Sequence, residues 1–171
     1  MPFRNRVTLA GLVDDSMDIS PDQSGSILKR VIRPGNPSRI PQRKDNVEIS
    51  WKIWLNDGSL AHNSNVELDE GFSFQLGADP REVIQGWETA VYTMREGEVA
   101  KLTIEPEYAF GITGAEPMVP ANETISCELC LERIIPAIAR AYQSVGMNES
   151  IKDELMEKIQ SRESPIAEEA M

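Results

Sequence analysis

Apolar and polar positions alternate along Val47 to Leu55 (Val-Glu-Ile-Ser-Trp-Lys-Ile-Trp-Leu), and the run stops at Asn56-Asp57-Gly58. A period of two sends successive side chains to opposite faces, so this stretch predicts a half-buried strand ended by a tight turn. Ile27 to Ile32 reads as an earlier strand closed by Pro34-Gly35-Asn36-Pro37, and Phe72 to Leu76 alternates again before Gly77. From Glu82 to Met94 the period changes. Val83, Ile84, Trp87, Ala90, Val91 and Met94 recur at spacings of three and four, which predicts a short amphipathic helix ended by Gly97. Glu98 to Ile104 returns to strand, and Thr124 to Ile134 is the last strand. Between these two lie about twenty residues, Glu105 to Glu123, rich in Gly and Pro and without a period. A loop of that length inside a compact domain is usually functional. Several strands around one helix predict an α+β domain, an antiparallel sheet packed against a helix.

The two ends differ from this middle. Residues 1–25 are polar and Asp-rich apart from Val7 to Val13, which predicts a mostly flexible segment with one strand or turn on the body. The domain spans residues 26–135, and residues 136–171 turn to helix formers and charges. After Pro136, Ala137 to Val145 reads as a short helix. A second helix follows Asn148, a good N-cap, with Ile151, Leu155 and Ile159 as its apolar stripe and Glu154 and Lys158 as an i,i+4 pair. Such a stripe either packs on its own domain or offers a surface to a protein partner.

Composition narrows the function. The chain has 171 residues, 40% hydrophobic and 26% charged, which suits one globular domain with tails. Its 28 acidic residues against 17 basic ones give a net charge of −11. That balance lacks the basic footprint of nucleic-acid binding. No apolar run reaches the ~18 residues of a membrane span, and Met1 to Gly11 lacks a signal-peptide core, so the expectation is a soluble, cytoplasmic protein. Cys127 and Cys130 lie three apart on a strand and point to opposite faces, no second cysteine pair exists, and His62 is the single histidine. No metal or cofactor is expected.

Several blocks then carry a resemblance. Phe72-Ser-Phe-Gln-Leu-Gly77, Glu82-Val-Ile-Gln-Gly-Trp-Glu88 and Met94-Arg-Glu-Gly-Glu-Val-Ala-Lys-Leu-Thr-Ile104 resemble the FKBP immunophilins, the macrolide-binding prolyl isomerases. So do Pro106-Glu-Tyr-Ala-Phe-Gly111 and Pro117-Met-Val-Pro-Ala-Asn-Glu-Thr124. The resemblance covers about residues 25–135 and implies a twisted antiparallel sheet of five or six strands wrapped around one short helix. It also implies a prolyl cis–trans isomerase. Rotation about an X–Pro bond breaks amide resonance, a barrier of roughly 18–20 kcal/mol. The twisted amide is less polar than either planar form, so a dry apolar pocket gripping the ring favours it, with no nucleophile or metal.

By the same resemblance Trp87 is the floor of the cleft, and Val83 and Ile84 offer backbone groups to the ligand. Phe72 is a wall, Phe110 stands where a tyrosine is common, and Val119 belongs to the loop over the cleft. The chain departs from the family at Ala61, where a wall phenylalanine is usual, and at His62, where an aspartate is usual. Trp51 replaces the tyrosine that bonds that aspartate, and Cys127 replaces a phenylalanine of the last strand. Trp51 either refills the space or plugs it. Losing two walls removes several kcal/mol of grip, about a hundredfold in rate or more. The sequence therefore points to a proline-binding or co-chaperone module with weak or lost isomerase activity and poor macrolide binding. An active isomerase of altered specificity is the alternative. Partners would be proline-containing peptides or client proteins. The Met17-Asp-Ile-Ser20 stretch also resembles the larger co-chaperone immunophilins, whose tetratricopeptide repeats are not found in these 171 residues.

Overall fold

In the computed structural model, residues 6–7, 13–67, 71–144, 153–154 and 157 are described. Strands β1 (Arg6–Val7) and β2 (Val13–Asp14) form a separate antiparallel pair. The domain is a seven-stranded antiparallel sheet built from β3 (Met17–Asp18), β4 (Ile27–Arg33), β5 (Asn46–Trp54), β6 (Leu60–Asn63), β7 (Phe72–Gln75), β8 (Val99–Ile104) and β9 (Ile125–Ile135). Spatial order is β3-β4-β8-β9-β5-β6, and β7 also pairs with β5. Among the described residues, helices α1 (Ser64–Glu67), α2 (Gln85–Thr93) and α3 (Ala137–Ser144) accompany it. This is the α+β arrangement that the patterning predicts.

The sheet holds because one face of β5, of β8 and of β9 is apolar. Val47, Ile49 and Ile53 of β5 and Ala100, Leu102 and Ile104 of β8 are buried with Ile125, Cys127, Leu129 and Leu131 of β9. Against them pack Trp87, Ala90, Val91 and Met94 from α2 and its end. Each large apolar side chain so buried contributes roughly 1.5–3 kcal/mol. Glu48 pairs with Arg133 while Ile49 pairs with Leu131, so Glu132 is an extra residue in β9. That bulge returns Ile134 to the core three positions after Leu131.

Gly86 lets α2 lie close to the sheet. A Cβ there would stand 2.8 Å from Ile104 Cγ2 and 2.9 Å from the Tyr108 carbonyl oxygen. A buried ion pair fixes the other end of the helix. Lys29 Nζ lies 2.6 Å from Glu98 Oε1, and also donates to Thr93 O at 3.1 Å and Thr93 Oγ1 at 2.9 Å. The Arg95 N–H donates to Glu98 Oε2 at 2.9 Å, so β4, β8 and the end of α2 share one polar knot.

The differences from the sequence pattern are local. The helix begins at Gln85 rather than Glu82, because Ile84 is extended at ψ 145°, and the Glu82 carboxylate accepts the Gln75 N–H at 2.7 Å. β3, β6, α1 and the 3-10 turn Pro106–Tyr108 have no counterpart in the period reading. Residues 17–25 belong to the ordered body: Met17 and Asp18 pair with Lys29 and Leu28. Asp18 accepts the N–H groups of Ser20 at 2.9 Å and Gly25 at 3.0 Å. The predicted helix after Pro136 is α3. Its Ala137 N–H donates to Asp45 Oδ1 at 3.0 Å, and Arg140 donates to the Lys44 carbonyl. Asn148, the stripe of Ile151, Leu155 and Ile159, and Lys158 lie outside the described residues. Among the described residues no helix is long and apolar enough to cross a membrane.

Candidate functional site

The outer edge of β5 changes partners at Trp51. Asn46 to Ile49 pair with β7, and Lys52 to Trp54 pair with β6. In the gap, Ser64 Oγ accepts the Trp51 N–H at 2.8 Å and donates to the Trp51 carbonyl at 3.1 Å. Ser64 is buried, and one hydroxyl thus serves both main-chain groups, which would otherwise lose water without a partner. His62 holds the other end of the same residue: its Nδ1 accepts the Trp51 Nε1–H at 3.1 Å. His62 pairs with Ile53 and Leu60 with Trp54, so Ala61 is the extra residue of a bulge. Bulges re-aim side chains, and here the re-aimed one is His62.

Beside this edge lies a cavity of about 430 Å³ lined by Trp51, Ile53, His62, Phe72, Arg81, Glu82, Val83, Ile84, Trp87, Phe110 and Met118. Trp51 lies 4.8 Å from Trp87 at an interplanar angle of 45°, meets Phe72 edge-on at 5.4 Å and 84°, and lies beside His62 at 5.8 Å and 20°. Distances and tilts of this kind suit aromatic quadrupoles. Trp87 is 6% exposed. The extended lead into α2 brings Val83 and Ile84 to the wall. Among the described residues, the Val83 carbonyl and the Ile84 N–H have no backbone partner.

Phe110 and Met118 come from the long loop, which is braced internally. Ala115 and Val119 form a bridge, the Gly111 N–H donates to Pro106 O at 2.8 Å, and the Asn122 N–H donates to Gly111 O at 2.9 Å. The polar rim is also tied down. Arg81 Nε donates to Glu88 Oε2 at 3.0 Å, and Glu88 Oε1 accepts the Gly77 N–H at 2.7 Å.

Of the residues singled out from sequence, Trp51, Phe72, Val83, Ile84, Trp87 and Phe110 meet in this cavity, with His62 beside them. Val119 does not line it. It is fully buried in the core, and its neighbour Met118 faces the cavity. Ala61 is half-buried against the core and off the lining. Cys127 is likewise buried and off the lining. Burial pushes its thiol from 9.0 up to about 12, and the neighbouring Trp87 indole opposes that shift. Cys130 falls in the other phase of β9 and is pushed up to about 11, by burial first and Glu132 second. Both cysteines are free thiols. Ile53, Met118, Arg81 and Glu82 are lining residues that sequence reasoning missed. Ile53 alone carried a signal, two positions from Trp51 on the same strand face. Among the described residues, no group of three or more His, Cys, Asp or Glu side chains could hold a metal ion.

Comparison with known proteins gives the family and the fold. Residues 38–131 match the family described as FKBP-type peptidyl-prolyl cis-trans isomerase. The chain is 39% identical over 115 residues to the peptidyl-prolyl cis-trans isomerase FKBP4 of Bos taurus, covering 67% of this chain and 24% of that protein. It is 34% identical over 134 residues to the peptidyl-prolyl cis-trans isomerase FKBP20-1 of Arabidopsis thaliana, covering 77% and 68%. The chain thus spans about a quarter of the length of the FKBP4 protein that it matches. Among solved structures, FkpA from Escherichia coli superposes with a TM-score of 0.56 at 32% identity, covering 65% of this chain and 49% of that one.

Proposed function

Because the chain belongs to the FKBP-type peptidyl-prolyl cis-trans isomerase family, we propose that its cavity receives a proline ring of a peptide or client protein and isomerises the preceding bond only weakly. The observation that carries this reading is the apolar floor and walls supplied by Trp87, Trp51, Phe72 and Phe110 around one open cavity. A proline ring is flat-sided and apolar, and such walls strip water from the adjoining amide. The open N–H of Ile84 and carbonyl of Val83 stand ready to orient a peptide backbone.

Weak turnover follows from what the walls lack. His62 stands where the family usually has a carboxylate, so the cavity has no fixed negative charge at that point, and Ala61 and Cys127 supply no aromatic wall. Each missing aromatic is worth roughly 1.5–3 kcal/mol when fully buried, so two of them together outweigh the roughly 1.5 kcal/mol that the partly buried Trp51 indole restores. The domain then acts chiefly by holding proline-containing segments, as a protein-interaction or co-chaperone module in the cytoplasm. Macrolides, which need the same walls, bind poorly.

One observation favours a second reading, an active isomerase of altered specificity. Trp51 packs on Trp87 at 4.8 Å and so returns aromatic surface to the wall. Exchange NMR of short X–Pro peptides separates the two. Slow exchange with measurable binding supports the holding module, exchange at the level of an ordinary family member supports the active enzyme, and no binding of any prolyl peptide refutes both. Restoring Ala61→Phe with His62→Asp and Cys127→Phe is expected to raise the exchange rate at least about tenfold.

A further inference from the structure

We infer that His62 is a positioning residue for the Trp51 indole and that taking up a proton at His62 loosens the indole from the cavity wall. The effect on peptide binding rests on the proline reading above; the effect on Trp51 does not. An indole N–H can only donate, so the contact from Trp51 Nε1 at 3.1 Å makes His62 Nδ1 a bare acceptor and places the ring proton on Nε2. His62 therefore stands beside Trp51 in the wall as an Nδ1 acceptor, edge to edge with the indole at a centroid distance of 5.8 Å and 20° between planes, while Trp51 rests on Trp87 at 4.8 Å.

A proton added at Nδ1 sets N–H against N–H at hydrogen-bond distance. An imidazolium is attracted to an indole face, but reaching the face means leaving the N–H edge. Either way the pair cannot keep its present geometry. The main chain of Trp51 stays anchored by Ser64, so the freedom released is that of the ring. Among the described residues, the charged groups that line the cavity with His62 are Arg81 and Glu82, and Lys52 on β5 pairs with the neighbouring Asn63. Arg81 is held by Glu88, Glu82 by the Gln75 N–H, and Lys52 lies 3.8 Å from Glu128. A proton on His62 Nδ1 therefore acts on this wall through the Trp51 Nε1 contact itself.

The test follows the Trp51 indole N–H signal of the full chain by NMR from pH 8 to 5, assigned by its loss in Trp51→Phe. Wild type is compared with His62→Asn, whose amide oxygen replaces Nδ1 as an acceptor and does not titrate, and with His62→Phe, which has no acceptor. The wild-type signal is expected to move with a single midpoint, His62→Asn to hold the high-pH position, and His62→Phe to start displaced. A wild-type signal indifferent to pH, or one that moves alike in His62→Asn, overturns the inference. In parallel, an N-blocked Leu-Pro-Phe peptide should bind about tenfold more weakly at pH 5 than at pH 7.5 in wild type, and equally at both in His62→Asn. Flat peptide affinity alongside a titrating indole overturns the coupling to binding. A titrating indole with no peptide bound at any pH upholds the role of His62 and counts against the proline reading instead.

Discussion

The Trp51 and Trp87 rings lie 4.8 Å apart and tilted by 45°, one delivered by the sheet edge and the other by the helix under it. Neither element alone makes a cavity. The contact joins them, and the half-buried Trp51 ring is a wall of the cavity.

Trp51→Ala is accordingly expected to weaken binding of an X–Pro peptide by about tenfold or more, since a partly buried indole contributes on the order of 1.5 kcal/mol or above. Titration followed by NMR shifts of Val83 and Ile84 measures it. Tighter binding in the variant would mean that the indole obstructs the ligand.

The Lys29–Glu98 pair predicts a stability effect remote from the cavity. Lys29 is 3% and Glu98 4% exposed, so removing one partner strands a buried charge. Lys29→Met should cost about 3–5 kcal/mol in urea unfolding. Lys29→Met combined with Glu98→Leu should cost less than Lys29→Met alone. A loss under about 1 kcal/mol in the single variant would show that water reaches the pair.

The Cys127 thiol sets a dependence on alkaline pH. Its folded value is raised from 9.0 to about 12, so above pH 9 the unfolded chain gives up this proton first and is favoured. The contribution is complete below pH 9 and is lost as pH climbs towards about 12. Wild type should therefore lose more stability between pH 8 and 11 than Cys127→Ala does, as measured by denaturant unfolding. The native thiol should also resist alkylation at pH 8 until the protein unfolds.

Gly86→Ala places a methyl 2.8 Å from Ile104 Cγ2 and 2.9 Å from the Tyr108 carbonyl oxygen. Overpacking of that kind costs about 1–3 kcal/mol, against the few tenths to 1 kcal/mol that alanine gains in a helix. A lowered midpoint of thermal unfolding is expected, with peptide binding weakened because Trp87 is the next residue. An unchanged midpoint would show that α2 moves off the sheet without cost.

What could be read from the chain depended on whether a face was buried. β5, β8 and β9 announce themselves because alternate residues enter the core, and α2 because its stripe does, whereas β4 buries only Ile27 and Lys29. β6 carries no such mark. Leu60 is exposed and Ala61, His62 and Asn63 are half-buried, so only pairing with β5 makes it a strand. Val83 and Ile84 extended the helical pattern by three residues because burial rewards them equally as a helix turn or as a cavity wall. In the long loop there is no period to give a phase, and Met118 rather than Val119, the residue the resemblance implies, faces the cavity. Arg81 and Glu82 look like solvated charges until Glu88 and the Gln75 N–H are seen to hold them at the rim.

Ser64 gives the cavity a degree of independence. On its inner side Trp51 pairs with Leu129 of β9, but on the outer side, where its neighbours on β5 meet β6 or β7, it leans on one hydroxyl supplied by Ser64 at the start of α1. The imidazole that holds the indole therefore belongs to the short outer hem formed by β6 and α1. Changes along that hem can retune what the protein grips while the inner strands keep the shape of the fold.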